Sequence, residues 1–241
     1  MLRAASFTCV VLCAASLTGC WEGISRQVLA TVLSVHGQVV YGSKENDLHA
    51  VNPDSTFGAG CLIRTAADAE IDLILVPGVS VRVAPNSELK MEELKLVKDG
   101  NETEGGMRSR TARIRLNRGG LTAYFEYSEG ARGQLTIVTE RVTVDAKPDC
   151  LFRLQSDHTR TRLISVLGTV YSSRGDGQSS AIKQGFFREW PAENPEPIPA
   201  ADEPRAQVEI SEGLKAGQEL RRLRDQHLPR RNRFPYNPSH K

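Results

Sequence analysis

The chain has 241 residues, 25 % of them charged, with 31 Lys and Arg against 29 Asp and Glu for a net charge of +2. That length suffices for one sizeable domain or two small ones, each with a buried core. A balance this close to neutral supplies no global field to draw the chain to nucleic acid, so any electrostatic partner is met through a local patch.

Residues 1–19 read as a secretory signal peptide: Arg3 gives a short positive start, residues 4–17 are apolar, and Leu17-Thr18-Gly19 sets small residues before Cys20. The 14 apolar residues fall short of the roughly 20 that a spanning helix needs. Leu17-Thr18-Gly19-Cys20 resembles the lipobox of bacterial lipoproteins. That resemblance implies cleavage before Cys20, a diacylglycerol on its thiol and acylation of the new amino terminus; the alternative is an ordinary cleaved signal that contains a cysteine. Two or three acyl chains hold a protein firmly where one holds it marginally, so the resemblance implies a lipid-anchored cell-envelope protein with residues 20–27 as its tether. Trp21-Glu22-Gly23 lacks the aspartate that retains enteric lipoproteins in the inner membrane, which favours the outer membrane, facing the periplasm.

Cys9 and Cys13 leave with the signal, so Cys61 and Cys150 are the other cysteines of the mature chain. In an oxidising, exported setting they are a candidate disulfide. The alternative is two small buried residues that never reach the roughly 4.4–6.8 Å Cα separation a bridge requires.

Residues 28–190 read as strands separated by turns. Residues 28–33 and 38–41 are rich in β-branched side chains and flank Gly37, the pattern of two strands about a tight turn or bulge. Residues 44–57, polar with Pro53 and Asp54, form a loop. Residues 69–76 begin with period-two alternation, Pro77-Gly78 turns the chain, and Val79, Val81 and Val83 resume the alternation in a hairpin. Pro85-Asn86 turns again into residues 88–97, where charges interrupt the strand period; a strand is assigned there. Residues 98–110 form a solvated, glycine-containing insertion. Residues 112–116, 120–127, 134–139, 141–146, 150–154, 162–167 and 169–172 follow as short strands, most of them bounded by Gly, Pro, Asp or Asn. Many short strands with no helical period between them predict an all-β domain over residues 28–190, an antiparallel β-sandwich or β-roll.

The composition changes at Trp190. Residues 191–205 hold five prolines among acids and alanines, which reads as a proline-rich, semi-rigid linker. Residues 206–227 place Val208, Ile210, Leu214, Leu220 and Leu223 at roughly helical spacing ahead of Pro229. In this short C-terminal helix Gly213 and Gly217 each cost about 1 kcal/mol relative to alanine, so the helix is marginal unless it docks. Residues 215–241 carry eight basic residues against two acids, a net +6, and residues 206–241 form a basic tail. Arg221, Arg222, Arg224, Arg230, Arg231 and Arg233 are its candidate contacts to an acidic surface, with a solvated tail as the alternative.

The motifs of residues 58–65 (Gly58-Ala59-Gly60-Cys61-Leu62-Ile63-Arg64-Thr65), 69–75, 79–83, Pro85-Asn86-Ser87 and Leu89, in this order and spacing, resemble the FecR-type domain. That family's core runs as a glycine-led G-D-x-I-x-T element, a strand, a D-G-S turn, V-x-L-x-P-x-S and a further strand. Residues 115–121 resemble its L-x-x-G-x-(V/A) element, residues 135–139 its F-x-V-x-T strand, and residues 166–170 its final V-x-x-G-x-V hairpin. The resemblance covers about residues 30–175. Pro77-Gly78-Val79 departs from the D-G-S turn, Cys61 stands near the acidic position, and residues 147–150 replace the V-x-G-T junction. The family's full-length regulators also hold a sigma factor through a cytoplasmic helical segment, span the membrane and contact an outer-membrane transporter. None of those parts is expected here, so the resemblance implies the scaffold more than the regulatory role.

No catalytic or cofactor-binding pattern is expected. His36, His49, His158, His227 and His240 are scattered with no H-x-x-x-H pair, and neither a G-x-S-x-G element nor a phosphate-cradling glycine loop occurs. Asp68, Glu70 and Asp72 alternate onto one strand face; glycosidase chemistry would need carboxylates opposed across a cleft about 5–9.5 Å wide, and a solvated face is the alternative. Tyr124, Phe125 and Tyr127 divide between core and surface, with a sugar-stacking platform as the alternative. Asn101-Glu102-Thr103 fits a glycosylation acceptor, a coincidence in a bacterial lipoprotein. These expectations describe a non-enzymatic envelope lipoprotein without a cofactor or metal. Its β-domain is a binding or scaffold module for an envelope protein or polysaccharide, joined to the membrane by its anchor and not to nucleic acid. The alternative is a periplasmic sensory or signalling component working with a separate membrane regulator.

Overall fold

Apolar–polar alternation lays the chain into ladders of short strands. A computed structural model describes residues 23–44, 46–99, 107–126, 132–175, 179–191 and 196–227. In chain order the strands are β1 (Ile24–Gln27), β2 (Ala30–His36), β3 (Val39–Gly42), β4 (His49–Ala50), β5 (Thr56–Phe57), β6 (Leu62–Thr65), β7 (Glu70–Val76), β8 (Val79–Val83) and β9 (Glu88–Lys98). There follow β10 (Met107–Phe125), β11 (Arg132–Val138), β12 (Thr143–Ala146), β13 (Cys150–Ser156), β14 (Thr161–Leu167), β15 (Thr169–Ser173), β16 (Ser179–Lys183), β17 (Phe186–Trp190) and β18 (Ile198–Pro199). A 3-10 turn (Ala200–Asp202) then leads into helix α1 (Pro204–His227).

The fold is all-β apart from that helix, and its ladders run in two layers. The first places β4, β3, β6, β9, the first half of β10, β11, β12, β15 and β16 side by side, with β1 on β9 beyond the end of β6. The second runs β5, β2, β7, β8, the second half of β10, β13, β14, β17 and β18. All these pairs are antiparallel except β10 with β11, which is parallel. Ile63, Ile114, Ile137 and Val170 of the first layer and Leu73, Val81, Phe152 and Leu163 of the second share one apolar core. Burial on this scale is what drives the layers together, at about 25 cal/mol per Å² of apolar surface removed from water.

β10 belongs to both layers, and it corrects the reading of two separate strands at 112–116 and 120–127. Residues 109–115 pair with β11, while residues 119–125 pair with β13. The passage from one layer to the other falls at Gly119, whose φ of +92° favours glycine and where a Cβ would lie 2.5 Å from Ser87 Cα. Ser87 Oγ accepts the Gly120 N–H at 2.9 Å and so holds the crossing in place.

The mixed period of residues 88–98 also has a local cause. Arg113 pairs with Glu93 and Ile114 with Met91, so Glu92 is an extra residue in the ladder. Such a bulge shifts the alternation by one, and Leu89 and Met91 before it and Leu94 and Leu96 after it all reach the core. Glu92, left outside the ladder, accepts from Arg113 Nε at 2.8 Å and Arg115 Nε at 2.6 Å.

Several expected boundaries move. Residues 24–27, expected as part of the tether, are β1 on the edge of β9. Residues 198–202 of the expected linker form β18, paired to Phe186 and Phe187, and the 3-10 turn. The loop at 44–57 contains β4 and β5, and the expected insertion at 98–110 gives its last residues to β10.

The helix is 24 residues long and docked. Pro204 starts it, where a missing N–H costs nothing. Ala206, Glu209, Gly213, Ala216, Gly217, Leu220 and Arg224 are buried at spacings that form one face. That face lies across the outside of the second layer, over β14, β13, β10, β8 and β2. Leu220 packs with Tyr124, Leu151 and Val166, and Ala206 with Ile164, Phe187 and Ala200. The two glycines that weaken an isolated helix let the backbone approach the sheet: a Cβ on Gly213 would lie 2.7 Å from Val166 Cγ2. Polar contacts pin the helix. Arg162, 5 % exposed, donates to Glu189 at 2.6 Å, Glu203 at 2.5 Å and Glu209 at 2.8 Å, and Arg153 donates to the Glu209 carbonyl at 3.0 Å.

Candidate binding cleft

The β15–β16 hairpin carries two pairs of serines. In the register Ser172 stands opposite Ser180 and Ser173 opposite Ser179, so each face of the ladder carries one serine pair at this end. β17 brings Arg188 and Trp190 to the same place, buried Val142 contributes an apolar wall, and the exposed residues Arg174 and Glu196 complete the lining of a cleft of about 250 Å³. Small-ligand sites are roughly 300–1,000 Å³ and mostly apolar; this cleft is smaller, and Val142 and Trp190 are its apolar members.

The electrostatics of the cleft are cationic. The Arg188 guanidinium lies 5.2 Å from the centre of the Trp190 ring, a cation–π contact. Its Nε is buried and has no hydrogen-bond acceptor among the described residues. Burial, and then the positive charge of Arg174, lower the proton affinity of Arg188, while Glu196 acts in the opposite direction. Among the described residues, two guanidinium groups therefore meet one carboxylate beside serine hydroxyls, an arrangement suited to binding an anion.

Other residues that the sequence singled out have structural duties. Asp72 is fully buried and accepts from Arg82 Nε at 2.7 Å, Arg82 Nη2 at 2.8 Å and Ser34 Oγ at 2.7 Å, so it clamps β2, β7 and β8. Tyr124 lies under the helix, where Arg221 Nη2 donates to its hydroxyl at 2.8 Å, and Phe125 is in the core. Arg222 pairs with Glu219 at 2.5 Å along the helix, and Arg224, 8 % exposed, pairs with Glu126 of the sheet and Asp225. Arg221 and Arg224, expected as contacts of the basic tail, also hold α1 on the sheet. Arg230, Arg231 and Arg233, the signal, Cys20, the 101–103 sequon and Tyr127 lie outside the described residues.

Cys61 and Cys150, weighed as a disulfide, are both free thiols. The reason is placement. The Cys61 carbonyl accepts from Met91 N–H in the first layer, whereas Cys150 pairs with Phe125 in the second. Burial pushes the Cys61 thiol up to about 11 against the opposing effect of a Gly42 backbone hydrogen bond, and burial with the nearby Asp149 charge pushes Cys150 up to about 12.

The cleft was hidden in the sequence because its residues come from β15, β16, β17 and the segment beyond. A paired S-S-R…S-S pattern at 172–180 was the one visible signal. Among the described residues no group of three His, Cys, Asp or Glu could hold a metal, and no helix is long and apolar enough to cross a membrane.

No protein-family model matches the chain, and no curated protein matches it. Among solved structures, it is similar to two crystal structures of a candidate anti-sigma factor from Parabacteroides distasonis, at 11 % and 10 % identity with TM-scores of 0.41 and 0.40. In both comparisons the match covers 57 % of this chain and 57 % of that chain, little more than half the length of each.

Proposed function

We propose that this protein is a non-enzymatic binding module of the bacterial cell envelope, anchored by lipid at Cys20 to the periplasmic face of the outer membrane. In this reading the β15–β17 cleft is where it takes hold of an envelope protein or polysaccharide. The observation that supports it is the cleft itself, where the Arg174 and Arg188 guanidinium groups stand beside serines of the β15–β16 hairpin. Arg82, Arg162 and Arg224, by contrast, are engaged with carboxylates of the fold itself.

A second reading, a sensory component that reports to a separate membrane regulator, is favoured by the way α1 is held. Small apolar clusters, two glycine contacts and ion pairs attach it to the sheet, so a regulator that competes for that outer face would have to displace it.

A benzophenone placed at position 174, in cells carrying the full chain, tests the binding reading. Illumination is expected to join an envelope protein or polysaccharide to position 174, and not to position 113 on β10. Absence of adducts from 174 overturns the reading. For the anchor, labelled palmitate is expected to enter the protein, and Cys20→Ala is expected to abolish labelling and release the protein from membranes.

A further inference from the structure

We propose that the cleft recognises phosphate: Arg188 and Arg174 take the oxyanion of a phosphorylated, hydroxyl-bearing ligand, and serine hydroxyls of the β15–β16 ladder complete its hydrogen bonding. This rests on the binding-module reading and names the chemistry of the same cleft.

Three observations carry it. First, the Arg188 and Arg174 guanidinium groups both line the cleft, with Glu196 as the carboxylate beside them among the described residues. Guanidinium groups pair with oxyanions through short, charge-assisted bonds, so the outer N–H groups of these two arginines can meet an entering oxyanion.

Second, the donors are numerous. Arg174 and Arg188 share the lining with Ser172 and Ser180, which stand opposite each other on one face of the ladder, and two guanidinium groups beside a serine hydroxyl offer more donors than the two oxygens of a carboxylate can use. Arg174 and Arg188 also repel each other, opposed by Glu196. A doubly charged anion between them relieves that repulsion.

Third, the size is discriminating. About 250 Å³ lies just below the range of small-ligand sites. It admits a phosphate with the small polar group that carries it, whether that group is free or projects from a larger envelope partner.

Trp190 is one of two tryptophans in the chain and stands against Arg188, so its fluorescence reports on the cleft. The full chain in detergent is titrated at low ionic strength, where charge contacts act most strongly, with inorganic phosphate, glucose 6-phosphate, glucose and acetate. Both phosphates are expected to give a saturable change that glucose and acetate do not. Arg188→Gln and Arg174→Gln are each expected to weaken it about 10-fold or more, and Arg113→Gln to leave it unchanged. Arg174 is exposed, so its variant keeps the test valid should Arg188→Gln not fold.

Tighter binding of glucose 6-phosphate than of inorganic phosphate supports a phosphorylated sugar as the source, and equal binding supports phosphate alone. Silence towards both phosphates, an equal response to acetate, or a response that survives both arginine substitutions overturns the phosphate assignment. The binding-module reading then stands or falls separately, on the adducts from position 174.

Discussion

Gly217 of α1 rests so closely on Leu151 of β13 that a Cβ on the glycine would lie 2.7 Å from Leu151 Cδ2. Helix propensity and docking therefore pull in opposite directions at this position. An isolated helix gains about 1 kcal/mol when glycine becomes alanine. A docked one has no room for a branched side chain, and overpacking costs about 1–3 kcal/mol. Gly217→Val and Gly213→Val are expected to lower the unfolding free energy in urea and to speed amide exchange over residues 204–227. Unchanged stability in both variants would contradict the docking.

Arg162 is the polar counterpart of that contact. It is buried among Glu189, Glu203 and Glu209, which come from β17, the 3-10 turn's end and α1, with its guanidinium 4.1 Å from the Phe187 ring. Arg162→Met leaves these carboxylates without their shared cation. Removing one partner of a buried ion pair costs about 3–5 kcal/mol, and a loss of that order is expected in the urea midpoint. The exposed pair Arg222–Glu219 provides the contrast: Arg222→Met is expected to cost under about 1 kcal/mol.

Asp157 in the β13–β14 turn sets an acid limb. Its carboxylate accepts from the Thr159 hydroxyl at 2.6 Å, Arg160 N–H at 2.8 Å and Thr159 N–H at 2.7 Å, and these bonds, the hydroxyl's first, pull it from 3.8 down to about 2. A depressed carboxylate stabilises the fold above its unfolded value and loses that contribution as the pH falls through its folded value. The stability difference between the protein and Asp157→Asn is therefore expected to be constant from neutral pH to about 5 and to shrink between about 4 and 2. A difference that grows on acidification would refute the assignment.

The free thiols make a chemical prediction. With Cys61 at about 11 and Cys150 at about 12, little thiolate exists at pH 8, and the thiolate is the nucleophile. Both should react with iodoacetamide roughly 100-fold or more slowly in the folded protein than in the unfolded one. In denaturant without reductant, both peptides should be recovered alkylated by mass spectrometry. Recovery of a Cys61–Cys150 linked peptide would overturn the structure at this point.

The hairpin at Pro77-Gly78 and the all-β character were legible because alternation and turn residues are local signals. The phase slip at Glu92 obscured β9, since one bulged residue turns two clean alternating runs into a mixed pattern. The parallel pairing of β11 and the crossing at Gly119 depend on contacts between distant segments, which no local window reports. The helix was visible in Val208, Leu220 and Leu223, but its docking was not. Gly213 and Gly217 read as weaknesses until the sheet they touch is known. The cleft was least legible, because Arg174, Arg188 and the serines meet only through the pairing of distant strands, and a sequence shows only that those residues are present.

β10, bonded among the described residues into both layers, leaves the domain without a seam. Neither sheet can be duplicated, borrowed or lost without carrying half of the other with it. The hairpin ends are therefore where the chain can lengthen or shorten without breaking a ladder, and the tip of β15 and β16 is one of them.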